Sequence, residues 1–139
     1  MWFLPTYRRP EMLKRFLEQA QKTNMSTPLF IRIDDGVNFG EGYDQIDYPD
    51  NVIVVNYSKA SLGEMMNDFF YQHPDLDYYG CLADDLYPIT PNWDTKLIEA
   101  AGRYKLAYCA DDYIDQKPKG AWRLRQGRVL SGTMCWGGD

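Results

Sequence analysis

Asp77-Tyr78-Tyr79-Gly80-Cys81-Leu82-Ala83-Asp84-Asp85-Leu86-Tyr87-Pro88-Ile89-Thr90-Pro91-Asn92-Trp93 holds the transition that decides the fold. Tyr78 to Leu82 is aromatic and apolar with one glycine, and reads as a short buried strand. It runs directly into two adjacent carboxylates, Asp84 and Asp85, and then into a loop punctuated by Pro88 and Pro91. An open α/β sheet holds ligands beyond the carboxyl ends of its strands, where acid side chains can take a hard cation or a polar group. The stretch is therefore expected to form the cation- and diphosphate-holding end of a site.

Working outward, the same grammar repeats. Trp2 to Leu4 reads as a first buried strand, followed by Pro5-Thr6-Tyr7-Arg8-Arg9. Pro10 and Glu11 suit a helix start, with Pro in the first position and an acid in the first turn. Leu13, Phe16, Leu17 and Ala20 recur at helical spacing to about Lys22. Leu29 to Ile33 is a second strand ending in Asp34-Asp35-Gly36, and Asn51 to Val55 is a β-branched third. Ser61 and Glu64 match a capping box ahead of Leu62, Met65, Met66, Phe69 and Phe70, with Pro74 closing that helix. A helix is expected from about Asn92 to Ala101 with Gly102 as its C-terminal cap. Leu106 to Cys109 is a fifth strand, and Trp122–Arg125 with Arg128–Ser131 reads as a hairpin about Gln126-Gly127. Early alternation of strands and helices implies one Rossmann-like α/β domain over residues 1–139, with a mostly parallel, mixed sheet flanked by helices.

Composition narrows the partners. The chain of 139 residues is 45% hydrophobic and 25% charged, ordinary for a single globular domain. A formal charge of −5 argues against nucleic acid, which demands a basic face. The three cysteines, Cys81, Cys109 and Cys135, are odd in number and widely spaced, so neither a disulfide framework nor a Cys-x-x-Cys zinc site is expected. The apolar run Met1 to Leu4 is far too short for a signal peptide or membrane span. A reducing, cytoplasmic setting follows as the expectation.

Polar groups thus collect beyond strands one, two, four and five: Thr6 to Arg9, Asp34-Asp35, Asp84-Asp85 and Asp111-Asp112. Each pair also suits a turn or a helix cap. Their convergence on one rim suggests more, because clustered carboxylates repel unless something positive joins them.

Leu4-Pro5-Thr6-Tyr7-Arg8-Arg9, Ile33-Asp34-Asp35-Gly36, and Leu82-Ala83-Asp84-Asp85 ahead of Thr90-Pro91-Asn92-Trp93 resemble a GT-A glycosyltransferase of the family-2-like kind. The similarity extends over Asn56 to Asn67 and covers nearly all of residues 1–110. It implies a UDP- or GDP-type nucleotide-sugar donor, with Pro5, Thr6 and Tyr7 lining the nucleoside pocket and Arg9 near the diphosphate. Asp34 or Asp35 would accept from base or ribose, and Asn67 would belong to the nucleotide site. Asp84-Asp85 would stand for the family's Asp-x-Asp motif, holding ribose and Mn²⁺ or Mg²⁺. Alternation along an extended segment gives Asp85 to the metal and Asp84 to the ribose or to the group behind the metal. Asp111, Asp112 and Asp139 are candidates for the base that deprotonates a glycan or small-molecule acceptor.

The sequence departs from that pattern in three places. Ala83 replaces the first acid of the motif. The one histidine, His73, falls at a helix end rather than where relatives place a metal ligand. The sequence reaches Asp139 about where relatives continue into an acceptor-binding half, so that part is expected to be short or missing. An inactive nucleotide- or sugar-binding module is the alternative reading. A sugar nucleotidyltransferase ranks below both, because Leu4-Pro5-Thr6-Tyr7 lacks the Gly-rich loop it requires.

Overall fold

The computed structural model describes residues 1–34, 42–104, 106–108 and 134–137. Its elements in order are β1 (Trp2–Thr6), α1 (Pro10–Lys22), β2 (Leu29–Ile33), β3 (Val52–Asn56), α2 (Leu62–Gln72), β4 (Tyr78–Cys81), α3 (Trp93–Tyr104), β5 (Leu106–Tyr108) and β6 (Met134–Gly137). They form one sheet in the order β3-β2-β1-β4-β6-β5. The four strands β3, β2, β1 and β4 are mutually parallel, and β6 runs antiparallel to both β4 and β5. The α/β class and the mostly parallel, mixed sheet are as the sequence implies. The reversed strand, however, is β6 between β4 and β5, a position the sequence reading did not assign. The hairpin expected at 122–131 lies outside the described residues.

Alternation along β1 and β2 sorts side chains onto the two faces. Trp2, Leu4, Leu29, Ile31 and Ile33 join Leu13 and Phe16 of α1 and Trp93 and Leu97 of α3 in the larger core. Phe3 and Phe30 face the other way and meet Phe69 of α2 and Tyr79 of β4. Trp2 sits opposite Gly80 in the β1–β4 register. A Cβ on Gly80 would lie 2.0 Å from the Trp2 indole, so the glycine is required by close approach rather than by backbone conformation.

The capping box is present, with Ser61 Oγ accepting from the Glu64 N–H and the Glu64 carboxylate accepting from the Ser61 N–H. α3 differs from expectation: it runs through Gly102 to Tyr104, so Gly102 is an exposed helical residue and not a cap. Its start is fixed by Asp94, which is wholly buried and whose Oδ2 accepts from Ser26 N, Thr27 N and Thr27 Oγ1. That carboxylate ties the α1–β2 connection to α3.

Hydrogen bonding explains where the sheet opens. Along β1, Trp2 and Thr6 bond toward β2, while Met1 and Phe3 bond toward β4. The next residue on the β4 side is Pro5, which has no N–H to give. β1–β4 pairing ends at Phe3↔Cys81, whereas β1–β2 pairing continues to Thr6↔Ile33. The gap after β1 and β4 is also where the strand order reverses, the position at which doubly wound sheets bind ligands.

Candidate functional site

The crevice is built around Thr6, at the end of β1. Its hydroxyl donates to Asp84 Oδ2 at 2.7 Å and lies 2.9 Å from the Tyr43 hydroxyl. A hydroxyl carries one hydrogen. Since Thr6 gives its own to Asp84, Tyr43 must donate to Thr6. The Arg9 main-chain N–H in turn donates to Tyr43 Oη at 2.9 Å. The order is therefore Arg9 N–H to Tyr43 to Thr6 to Asp84. Thr6, Tyr43 and Asp84 are all buried.

Arg9 closes the circuit from the other side. Its guanidinium stands 3.1 Å from Asp84 Oδ1 and 3.9 Å from Asp85 Oδ2. The Asp84 side chain is 1% exposed, whereas those of Arg9 and Asp85 are 53% and 55% exposed. Burial is the largest influence on the Asp84 carboxyl and lifts it above its ordinary range, opposed by the Thr6 hydrogen bond and the Arg9 charge. Arg8 turns the chain between Tyr7 and Arg9 with a φ of 52°, a left-handed conformation uncommon outside glycine. The Tyr7 ring has Arg8 Cζ 5.1 Å and Lys59 Nζ 4.7 Å from its centroid, so it meets cations from the loops after β1 and β3.

Asp34 belongs to the same rim by its backbone but not by its side chain. Its N–H donates to Thr6 O at 3.0 Å. Its carboxylate accepts from Arg32 Nε at 2.7 Å, on the α2 face, away from Thr6 and Asp84. The cause is alternation: Ile33 enters the larger core, so Arg32 and Asp34 turn to the opposite side. Arg32 is 4% exposed and also donates to Asp68 of α2 at 3.0 Å, with its guanidinium 4.6 Å from the Tyr57 ring centroid. Burial works most strongly against its charge, but the hydrogen bonds to Asp34 and Asp68 and their charges outweigh it and raise the guanidinium further. Of the three acid pairs expected to converge, the described residues place Asp84-Asp85 at the crevice and turn the Asp34 side chain to Arg32, while Asp35 and Asp111-Asp112 lie outside them.

The remaining expectations fall as follows. Pro5 is half-buried at the crevice. Asn67 is exposed on α2, the helix over the other face, and is not brought to Asp84. Asp35, Asp111, Asp112 and Asp139 lie outside the described residues. Cys81 is a free thiol, pushed up by burial. Tyr43 and Arg32 were missed. Tyr43 sits in a polar, glycine-rich stretch without periodicity, and nothing in that stretch marks one tyrosine as buried. Arg32 could have been noticed as the lone charge within Leu29 to Ile33.

Among the described residues no three His, Cys, Asp or Glu are grouped so as to hold a metal by themselves. Asp84 Oδ1 and Asp85 nonetheless suit one hard-cation mode, in which one or two carboxylates are completed by ligand phosphates and water. The Arg9 guanidinium rests 3.1 Å from Asp84 Oδ1 and 3.9 Å from Asp85 Oδ2 and neutralises part of their charge. Fold and site together define an α/β protein with a charged crevice at the topological switch point. No protein-family model matches the chain, and no curated protein matches it.

Proposed function

We propose that the chain is the nucleotide-sugar-binding core of a metal-dependent glycosyltransferase of GT-A-like architecture. Its donor would be a UDP- or GDP-type sugar and its acceptor a glycan or small molecule, in a reducing, cytoplasmic setting. One observation carries this reading: Thr6, Arg9, Asp84 and Asp85 meet where β1 and β4 part. Departure of a nucleoside diphosphate leaves negative charge on its phosphate oxygens. A divalent ion, Mn²⁺ or Mg²⁺, would supply Lewis-acid stabilisation of that charge. Asp85 and Asp84 Oδ1 would hold it, and Arg9 would add a forked donor to phosphate. Pro5 and Tyr7 would line the nucleoside, whereas the Asp34 side chain, buried and given to Arg32, would take no part in holding base or ribose. The acceptor's base would come from Asp111, Asp112 or Asp139.

A thermal-shift titration with UDP and with GDP, each with and without Mn²⁺, tests the reading. Stabilisation should be largest with nucleotide and Mn²⁺ together, by about 2.7 kcal/mol at a hundredfold excess over Kd. Absence of any shift with either nucleotide would sink it. The second reading, a nucleotide- or sugar-binding module without turnover, draws on His73. This histidine is the C-cap of α2, the end remote from the crevice, with its ring 5.3 Å from Phe30 and 5.2 Å from Phe69. It is in no position to ligate an ion at Asp85. Release of labelled sugar from a bound donor separates enzyme from module.

A further inference from the structure

Arg9 is attached to the crevice in two unlike ways. Its main-chain N–H is held by the buried Tyr43 hydroxyl at 2.9 Å. Its guanidinium lies on a half-exposed side chain, 3.1 Å from Asp84 Oδ1 and 3.9 Å from Asp85 Oδ2. Asp84 is divided in the same manner. Its Oδ2 is bonded to Thr6, which Tyr43 fixes in turn, whereas its Oδ1 faces the half-exposed guanidinium. One oxygen is thus bound into the interior and the other meets a group that rotates about its own side-chain bonds.

We propose that Arg9 is an exchangeable counter-ion, whose guanidinium neutralises Asp84 and Asp85 and transfers to a diphosphate when that ligand arrives with a divalent cation. The inference rests on the nucleotide reading above and deepens it. Two adjacent carboxylates repel, and a tethered guanidinium relieves that repulsion. A divalent ion arriving alone must displace Arg9 and leave it without its partners, which weakens the ion's binding. A diphosphate offers the displaced guanidinium a bidentate acceptor of higher charge. Cation and diphosphate therefore assist one another through Arg9, in addition to their direct attraction. The assistance must be equal whichever binds first. Because Tyr43 retains the main chain, the exchange needs only side-chain rotation.

Calorimetric titration of the full chain with Mn²⁺, with inorganic pyrophosphate, and with each in the presence of the other tests this. In Arg9→Met, Mn²⁺ alone should bind roughly tenfold more tightly than in the wild type. Pyrophosphate alone should bind more weakly, and the factor by which each ligand assists the other should shrink. Arg9→Lys, which keeps the charge but loses the fork, should fall between the two. Arg9→Met leaves the buried Asp84 carboxylate without its counter-charge and should melt below the wild type, so every titration is made below its transition. Arg9→Lys, which keeps the charge, should melt closer to the wild type. An Arg9→Met protein that binds Mn²⁺ no more tightly than the wild type overturns the exchange, as does Mn²⁺ binding to neither. If the Mn²⁺ and pyrophosphate results hold while UDP and GDP fail to bind, the exchange stands and the nucleotide reading falls. If UDP binds with Mn²⁺ but Arg9→Met leaves Mn²⁺ affinity unchanged, the nucleotide reading stands and the exchange falls.

Discussion

Thr6 shows how much one hydroxyl can organise. Replacing it with valine keeps the shape but leaves the Tyr43 O–H without its acceptor and takes one donor from the buried Asp84 carboxylate. An unmet buried polar group costs about 1–3 kcal/mol. Thr6→Val should therefore lose about that much stability in urea unfolding, whereas Thr6→Ser, which keeps the hydroxyl, should lose less than half as much. At this scale the sequence was partly readable. Thr6, Arg9, Asp84 and Asp85 were all named, because polar residues directly after apolar strands fall on the carboxyl rim. Side-chain direction was not readable for Asp34. Its turn toward Arg32 depends on which face of β2 the larger core occupies, a matter of tertiary packing. Tyr43 lay beyond reach because its burial depends on Thr6 and Arg9, which are remote in sequence.

Among the elements, the best-specified pieces carry their own chemical punctuation. The Ser61–Glu64 box marks the start of α2, and the Glu64 carboxyl is held below its ordinary value, first by the Ser61 hydroxyl and then by the Ser61 N–H. A depressed carboxyl stabilises the fold above its unfolded value, near 4.3, and that contribution disappears as pH falls through the lowered folded value. The stability difference between wild type and Glu64→Gln should thus be clear at neutral pH and narrow on acidification, as read from denaturant midpoints. Gly80→Ala should cost about 1–3 kcal/mol or more, because its Cβ would meet the Trp2 indole in a strand pair that cannot separate; thermal unfolding checks it. The glycine was visible in the sequence as an oddity within an apolar strand, but its reason required the β1–β4 register. The end of α3 was misread for a simple cause. Glycine often closes a helix, but it is tolerated within one when nothing crowds it, and no atom lies within 4 Å of a Cβ placed on Gly102.

For the whole molecule, alternation of apolar segments gave the α/β class and the parallel majority of the sheet. Strand order was a different matter. The insertion of β6 between β4 and β5 arises from pairing between segments more than fifty residues apart, which local pattern does not encode. The reversal between β1 and β4 comes instead from the pairing of β1 with both β2 and β4, which sets Thr6 and Arg9 beside Asp84 and Asp85. Asp85 is more than half exposed, and Asp85→Ala should fold with its melting temperature within about 2 °C of the wild type. It should also lose the Mn²⁺-dependent part of nucleotide affinity, and unchanged Mn²⁺-dependent affinity in a titration would remove Asp85 from the metal assignment. Among the described residues no helix is long and apolar enough to cross a membrane.

The line of donors from Arg9 through Tyr43 and Thr6 to Asp84 has a fixed polarity. Its first member is a peptide amide, which does not surrender its hydrogen at physiological pH, so the line cannot reverse and cannot be replenished from behind. It orients the carboxylate without conducting protons to it. Among the described residues, Asp84 Oδ2 is taken by Thr6, and Oδ1 faces the half-exposed Arg9 guanidinium, so a proton exchanging with the carboxylate by Oδ1 crosses ground that this side chain covers. Under the exchange proposed above, movement of Arg9 would therefore change the water contact of Asp84 Oδ1 at the moment a ligand binds.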